Sequence, residues 1–378
     1  MVSSAPGRVD FLNTHQDYKG LPVVPVAINL RTYIAVVEDS GKFEVTSLNL
    51  KEKGVEHRDA FPPSNPRLRE GKWWGNYLRA CVIALQRKKG VKLQRGFKAV
   101  VYSQVPVGSG LSSSAALEVS FLKAIDEYFN LGLTTEELAE TAFYAENEVM
   151  GIPCGRLDQY ASAYGGVILL YPRPPVRVEP LDFGHLDLVV VDSGISHSVS
   201  EIHPVRQAEI NEALRLLRGM EDLPLTTRLK LGATFEDTAW DEIAYHEIKN
   251  YVERLPTALA NRVVFTLLMH ESTMRVIAKA RAGSLDAETL AEEVNRQHEF
   301  LRDLYEVSLP QLESIRNAML QAGAQAAKIS GAGMGGSLLA LTRSEAEAKR
   351  TVLQKAMEAG ARQGWFAVQD RGASIDFH

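Results

Sequence analysis

Two glycines and four serines stand together near residue 110, directly ahead of a segment that can form a helix. The loop contains Gly108, Ser109 and Gly110, and Leu111 then leads into Ser112, Ser113 and Ser114. The N–H groups at a helix N-terminus are unpaired and lie at the positive end of the helix dipole. The loop therefore predicts a phosphate-binding site, in which a serine can also coordinate a metal ion held by the phosphates. The alternative is a glycine- and serine-rich turn before an ordinary helix, since neither a Walker lysine nor a G-x-G-x-x-G pattern is present.

Two acidic residues follow this loop in the sequence. Glu146 lies in a predicted helix, residues 135–150, which begins at the capping box formed by Thr134 and Glu137. Its spacing places it at the border of the apolar face of that helix, where a carboxylate needs a cation or a metal as partner. The alternative is an edge carboxylate paired with a nearby Lys or Arg. Asp158, close to Gly155, is uninformative by itself.

Two further segments could approach a ligand. The first is a polar cluster near the N-terminus, which suits a polyhydroxylated molecule but equally fits a solvated loop; it consists of Arg8, Asp10, His15, Asp17 and Lys19. The second is residues 330–336, with four glycines between two apolar strands. A hairpin turn needs at most two glycines, so four indicate that something comes close to the main chain.

The surrounding pattern predicts an α+β protein in two lobes, 1–183 and 184–378. The first part is rich in strands and the second is mostly helical. The strands are expected at 21–30, 32–37, 97–102 and 186–192, with a closing strand–loop–strand at 326–341. The helices are expected at about 73–86, 115–129, 135–150, 204–218, 239–254, 260–282, 286–306 and 309–321.

Bulk composition excludes several classes of function. A net charge of -5 over 378 residues gives no sign of binding to nucleic acid or to anionic membranes. Cys81 and Cys154 have no metal-like spacing, and two cysteines make a disulfide framework unexpected. The N-terminus lacks the apolar core of a signal peptide, and no run is long enough to span a membrane. We expect a reduced, cytoplasmic protein.

Taken together, the motifs resemble those of the GHMP kinases in order and spacing, and within them those of the galactokinase family. The resemblance implies a two-lobed fold with the active site in the cleft between the N- and C-terminal domains. It also implies ATP as co-substrate, Mg²⁺ and a monosaccharide acceptor. The segments that carry the resemblance are Pro6-Gly-Arg-Val, His15-Gln-Asp-Tyr18, Trp74-Gly-Asn-Tyr77, Gly110-Leu-Ser-Ser-Ser-Ala115, Ala145-Glu-Asn-Glu148, Pro153-Cys-Gly-Arg-Leu-Asp-Gln159, Pro204-Val-Arg206, Leu304-Tyr-Glu-Val-Ser308 and the final glycine loop.

The same resemblance implies a role for each matching residue. Asp158 would act as the general base on the sugar 1-hydroxyl, with Arg8 between it and the γ-phosphate. Ser114 and Glu146 would be the Mg²⁺ ligands. The remaining roles are phosphate binding by Gly108, Ser109, Gly110, Leu111, Ser112 and Ser113, adenine binding by Trp74 and Tyr77, and sugar binding by His15, Asp17 and Gly155, with residues 331–336 shaping the cleft.

Departures from the galactokinase pattern fall on the sugar side. Thr14 stands where galactokinases have a Glu that binds the sugar 6-hydroxyl, His203 replaces a Tyr, and Asp10 replaces an Asn. Loss of the carboxylate opens the pocket to a uronic acid, and His203 can add a positive charge. A 6-deoxy sugar, a pentose or unchanged use of galactose are the alternatives. We also expect the segment that precedes the first motif in galactokinases to be absent.

Two rival functions remain at this point. One is a kinase of another GHMP branch, such as a heptose or isoprenoid-precursor kinase. The other is a non-catalytic sensor of sugar and ATP, although Arg8, Asp158 and the serine loop are all present. We expect a monomer or a weak homo-oligomer.

Overall fold

The computed structural model describes residues 1–195 and 199–378. Its strands are β1 (Val2–Leu12), β2 (Val24–Ser40), β3 (Phe43–Ser47), β4 (Arg58–Phe61), β5 (Gly96–Ser103), β6 (Val167–Tyr171), β7 (Arg177–Leu181), β8 (Asp187–Asp192), β9 (Ala326–Ser330), β10 (Ser337–Leu341), β11 (Gln363–Val368) and β12 (Ser374–Phe377). Its helices are α1 (Leu48–Glu52), α2 (Asn76–Lys89), α3 (Ser113–Phe129), α4 (Thr135–Tyr144), α5 (Leu157–Tyr164), α6 (Val199–Arg218), α7 (Leu225–Lys230), α8 (Tyr245–Val252), α9 (Thr257–Arg281), α10 (Ala287–Glu299), α11 (Pro310–Gln321) and α12 (Ala346–Glu358). This mixture of helix and strand confirms the predicted α+β class.

The first compact unit consists of Met1–Arg8, Pro25–Ile168 and Gln369–His378. Its sheet has the strand order β12-β1-β2-β5-β3-β4, in which only the β3–β5 pair is parallel among the pairs whose register is defined. The aromatic rings of Phe43, Phe97 and Phe121 pack edge to face in its core. Buried Arg31 fastens the C-terminal segment to this sheet, because it donates to Asp370 Oδ2 and to Gly372 O, each at 2.8 Å.

The second unit consists of Val9–Val24 and Leu169–Val368. It contains an antiparallel four-stranded sheet with the order β11-β8-β10-β9, and helices α6 to α12. The central strands β8 and β10 are buried along their whole length, and apart from polar residues at their ends they are continuous apolar runs, 188–191 and 338–341, rather than alternating. Neither unit is a continuous stretch of chain, since the first consists of three segments and the second of two.

Several predicted elements are confirmed and others are wrong. Helices α3, α9 and α11 and strands β5, β8, β9 and β10 lie where the pattern predicts them, and both hydrogen bonds of the Thr134–Glu137 capping box form. The predicted strands 21–30 and 32–37 are parts of one strand, β2. No strand was predicted before residue 21, but residues 2–12 form strand β1, whose polar side chains are buried. The chain does not close at 341: α12, β11 and β12 follow.

Two predicted helices end in a π-helical turn. Residues 145–149 continue α4, and residues 300–304 continue α10, each with an N–H five residues along bonded to the opening carbonyl. Such turns insert one residue into the helix and change which side chains share a face. Glu146 lies in the first turn, and Tyr305 follows the second.

Candidate functional site

The first unit brings together Arg8 and Asp158, which are 150 residues apart in sequence. Arg8 Nε and Nη2 donate to the same carboxylate oxygen, Asp158 Oδ1, at 2.8 and 2.6 Å. Arg8 Nη1 donates to the backbone oxygen of Gly110 at 2.5 Å. The guanidinium is nearly buried, whereas the Asp158 side chain is 30% exposed. One arginine therefore links the acid to the glycine–serine loop and leaves the second oxygen of the acid, Oδ2, outside this pair.

The glycine–serine loop has the backbone of a turn that ends at a helix N-terminus. Gly108 and Gly110 have φ of +79° and +78°, and Ser112, at the N-cap of α3, is left-handed at +61°. Ser109 Oγ donates to Pro106 O at 2.9 Å, which closes the turn from inside. The Ser112 side chain makes no capping hydrogen bond, so the first N–H groups of α3 receive none from it. This arrangement can hold an anion.

Glu146 lies next to Ser114, the other predicted metal ligand. The Ser114 hydroxyl hydrogen-bonds the Glu146 carboxyl, and Gln159 Nε2 donates to Glu146 Oε2 at 2.6 Å. Burial, and then the charge of Asp158, raise the pKa of Glu146 to about 7. A buried carboxylate facing a second acid gains from a cation placed beside it, because the cation favours its charged form. Hard oxygen donors of this kind fit Mg²⁺, which keeps few protein ligands when phosphates complete its shell.

Helix α2 begins beside these acids. Burial, Glu146 and Glu118 raise the pKa of Tyr77 to about 12, which places its phenol in the same electrostatic surroundings as the predicted metal ligands. Trp74 packs against Trp73 with ring centroids 5.7 Å apart. Both indole N–H groups are buried and have no acceptor within the described residues. Gly155 lies in the connection ahead of α5, beside the Cys154 carbonyl that Asn147 binds.

In the second unit Thr14 lies beside a buried lysine. Lys328 Nζ donates to Thr14 Oγ1 at 2.9 Å and to the backbone oxygen of Asp10 at 2.8 Å. The Thr14 hydroxyl in turn donates to Asp10 Oδ1 at 3.1 Å. Thr14 and Lys328 are both fully buried. Position 14 is thus occupied by a neutral residue, and its hydroxyl is hydrogen-bonded to the side-chain amine of Lys328.

Two histidine rings pack edge to face in the same unit. The rings of His15 and His203 lie 5.1 Å apart, and His15 Nε2 is hydrogen-bonded to Ala332 O at 3.1 Å. Burial and Lys19 lower the pKa of His203, and burial together with His203 lowers the pKa of His15 further below its usual range. These shifts favour the neutral imidazole of His203 at pH 7 over the charged form that could add a positive charge. Burial likewise lowers the pKa of Lys19 well below its usual range. Asp17, at the start of a 3₁₀ turn, is partly exposed.

The second glycine loop packs against the protein's own backbone. Met334 N donates to Val307 O at 2.7 Å, and Gly336 N donates to Ile195 O at 3.0 Å. A Cβ on Gly333 would lie 2.6 Å from Val307 O. The close approach that the glycines predicted is therefore made by residues 195 and 307 of the same unit.

Sequence reasoning missed several residues that organise these sites. Gln159 and Glu118 contact the Glu146 region, and Lys328 contacts Thr14. Arg206 Nε donates to Tyr305 O at 2.9 Å, which ties the Pro204-Val-Arg206 motif to the segment 304–308. For Gln159 and Arg206 the signal was their place within the quoted motifs. Lys328 and Glu118 gave no such signal, because a lone charged residue in an apolar run is ambiguous.

Neither a cluster of metal-binding side chains nor a membrane-spanning helix occurs among the described residues. Within 1–195 and 199–378, no group of three or more His, Cys, Asp or Glu side chains is placed to hold a metal ion. Over the same residues, no helix combines the length and the apolar character needed to cross a bilayer.

The chain matches three protein-family models in sequence. The GHMP kinase N-terminal domain matches residues 76–166, and the GHMP kinase C-terminal model matches residues 277–359. The galactokinase galactose-binding signature matches residues 1–37, which contain both Arg8 and Thr14.

Similar proteins cover nearly the whole chain. A galactokinase of Thermotoga neapolitana is 31% identical over 349 residues, covering 91% of this chain and 89% of the relative. A galactokinase of Limosilactobacillus fermentum is 30% identical over 348 residues, covering 90% and 85%. The crystal structure of Lactococcus lactis galactokinase complexed with galactose matches with a TM-score of 0.80 and 26% identity, covering 99% of this chain and 94% of that one. A mevalonate kinase structure matches at 16% identity and a TM-score of 0.69, which indicates the fold alone.

Proposed function

The chain belongs to the GHMP kinases as a galactokinase-like sugar 1-kinase, and we propose that it transfers the γ-phosphoryl group of ATP to the anomeric hydroxyl of a monosaccharide. The observation that carries this proposal is the double use of Arg8. The guanidinium holds Asp158 by two hydrogen bonds and the phosphate-loop carbonyl of Gly110 by a third. A base for the hydroxyl and a binding loop for the phosphates are therefore joined through one cation.

In the proposed reaction, Asp158 accepts the proton of the sugar 1-hydroxyl through the oxygen that Arg8 leaves open. The hydroxyl oxygen then forms its bond to the γ-phosphorus as the bond to the bridging oxygen of ADP breaks. Arg8 offsets charge that develops on the transferring group. The N–H groups of residues 108–113 bind the phosphates. Ser114 and Glu146 would hold Mg²⁺, which would offset the negative charge of the phosphates. Trp74 and Tyr77 border the nucleotide.

We propose further that the sugar is galactose or a sugar altered at C6, such as a uronic acid, which carries a carboxylate at that position. His15, Asp17, Gly155 and Thr14 would bind the sugar, with His203 beside them. Thr14 brings no charge of its own toward C6, and Lys328 behind it favours an acidic substituent over a neutral one. A carboxylate at position 14 would do the reverse, because two buried carboxylates repel.

The test is an ADP-release assay with Mg·ATP against galactose, galacturonate, glucuronate, N-acetylgalactosamine, arabinose, fucose and a heptose. Sugar-dependent ADP release with a 1-phosphate product supports the proposal, and it also eliminates a non-catalytic sensor. A uronate preference supports an acid-accepting pocket, whereas a galactose preference overturns that part alone. No turnover with any sugar, by a chain that binds Mg·ATP, overturns the whole proposal.

A further inference from the structure

Helix α3 carries a buried acid that the proposed reaction does not use. Glu118 lies four residues after Ser114, one helical turn along the same face, and its side chain is fully buried. Its Oε1 has no hydrogen-bond donor within the described residues. Burying a carboxyl group costs free energy unless hydrogen bonds inside the protein replace those it made to water.

Gln159 connects this acid to Glu146. Its Nε2 donates to Glu146 Oε2 at 2.6 Å and lies 3.5 Å from Glu118 Oε2, so a single amide nitrogen stands between the two carboxyl groups. Gln159 is fully buried and follows Asp158 directly in α5. The amide therefore has little freedom to rotate once both acceptors hold it.

Glu146 is thus contacted from α3 in two ways. The Ser114 hydroxyl reaches it directly, and Glu118 reaches it through the amide. Glu146 itself lies in the π-helical turn 145–149, a kind of turn that is frequent at functional sites.

The surroundings of Glu118 favour the neutral form of its carboxyl group. Burial, and then the nearby Glu146, raise the pKa of Glu118 well above its usual range. The surrounding groups are Tyr77, Cys81 and Asp158, and none of them is a cation. A neutral acid can hold the amide without drawing a metal ion away from Glu146.

We propose that Glu118 is a positioning residue: it holds the Gln159 amide, and that amide holds the Glu146 carboxyl facing Ser114. The inference rests on the proposed function, in which Glu146 and Ser114 are the protein ligands of the divalent cation. Glu118 touches neither substrate nor metal, and it acts only through Gln159. Partners of this kind commonly change metal affinity by 10- to 100-fold when they are removed.

The experiment measures, by calorimetry on the full chain, how much Mg²⁺ raises the affinity for the non-hydrolysable analogue AMPPNP. Glu118→Gln should keep this enhancement, because its amide is neutral and still offers an oxygen to Gln159. Glu118→Leu should reduce it by roughly tenfold. Its affinity for AMPPNP without Mg²⁺ should stay unchanged. Ser120→Ala, a buried change on the same helix whose hydroxyl bonds only Leu117 O, is the matched control and should behave like the parent.

The outcomes separate the inference from its premise. Glu146→Gln should abolish most of the enhancement; if it does not, Glu146 is no metal ligand, and both that assignment and the positioning role of Glu118 are wrong. Sugar-dependent ADP release tests the kinase reaction separately. If Glu146→Gln loses the enhancement but folded Glu118→Leu keeps it, the positioning role alone is wrong. Equal loss in Glu118→Gln and Glu118→Leu would also overturn it, because the charge and not the hydrogen bond would then matter. Should Glu118→Leu fail to fold, Gln159→Leu breaks the same link and should show the same loss.

Discussion

The two glycine loops of this chain are alike in composition and different in use. In the first unit, a Cβ added to Gly108 would meet no atom within 4 Å, and the loop is held by hydrogen bonds from Ser109 Oγ to Pro106 O and from Arg8 to Gly110 O. In the second unit, a Cβ on Gly333 would lie 2.6 Å from Val307 O. Gly108 and Gly333 share the same φ of +79°. Glycine is needed for backbone conformation at both positions, but the space beside Gly108 is open whereas the space beside Gly333 is filled by residue 307.

The units also differ in how they handle charge. The first unit places the carboxyl groups of Glu146 and Asp158 near one arginine, Arg8, an arrangement that suits a cation beside them. The second unit buries Lys328 against oxygens of Thr14 and Asp10, and burial lowers the pKa values of its paired histidines. The proposed nucleotide–metal site and the proposed sugar site thus differ in their ionisable groups, with acids in the first unit and a buried lysine and two histidines in the second.

The largest expected effect comes from removing the base in the first unit. Asp158→Asn keeps the shape of the side chain and loses its charge and its ability to accept the proton, so kcat should fall by about 10²- to 10⁴-fold. Steady-state ADP release and calorimetry with AMPPNP measure turnover and binding separately. Binding should survive in this variant. A variant that keeps most of its kcat would show that Asp158 is not the base.

The matched pair Gly108→Ala and Gly333→Ala tests the comparison between the loops directly. Both substitutions carry the same backbone penalty, about 1–2 kcal/mol for a left-handed alanine. Gly333→Ala adds the clash with Val307 O, so its free energy of unfolding should fall by a further ~1–3 kcal/mol. Denaturant unfolding of the two variants gives the difference. Equal losses would mean that the second loop is no more tightly packed than the first.

The pH dependence of Mg·nucleotide binding should differ from that of sugar binding. Because the pKa of Glu146 is raised to about 7, its ionised form, which is the form proposed to bind the cation, predominates only above pH 7. The Mg²⁺ enhancement of AMPPNP affinity should therefore weaken as pH falls through 7, by roughly tenfold per pH unit well below it. Glu146→Gln should remove this dependence.

Sugar binding is the internal comparison in that experiment. Burial lowers the pKa values of His15 and His203, so both rings stay neutral from pH 7 to 8 and sugar affinity should be flat there. Calorimetry of the sugar and of AMPPNP at the same pH values provides both curves. A Mg²⁺ enhancement that rises on acidification would contradict the assignment of Glu146.

The smallest expected effect concerns choice of sugar. Thr14→Glu places a carboxylate beside Lys328. This carboxylate pairs with the lysine and repels an acidic substrate. The ratio of kcat/KM for galactose over galacturonate should rise by about tenfold or more. Thr14→Val, which loses only the hydroxyl, is the control and should shift the ratio less. An unchanged ratio in Thr14→Glu would mean that residue 14 does not face C6.

Local patterns allowed much of the fold to be predicted. The serine loop does lead into α3, the Thr134 capping box opens α4, and β9 and β10 flank the glycine loop as expected. These features depend on neighbours within a few residues. The π-helical turns were not predicted, because both lie at the end of their helix, where too few residues follow to show the change of face that the inserted residue causes. Strand β1 was missed because its buried polar residues resemble a loop until their distant partners are known.

The amino-acid sequence by itself determined the family, the types of side chain available for phosphoryl transfer, and the unusual threonine at position 14, because motifs and caps are local. Only the tertiary structure decided that Arg8 joins Asp158 to Gly110, that Lys328 stands behind Thr14, and that burial favours the neutral form of His203. Those outcomes depend on contacts across 100 to more than 300 residues and on burial. Burial sets both the partners and the protonation state of an ionisable side chain, and no local pattern reports it.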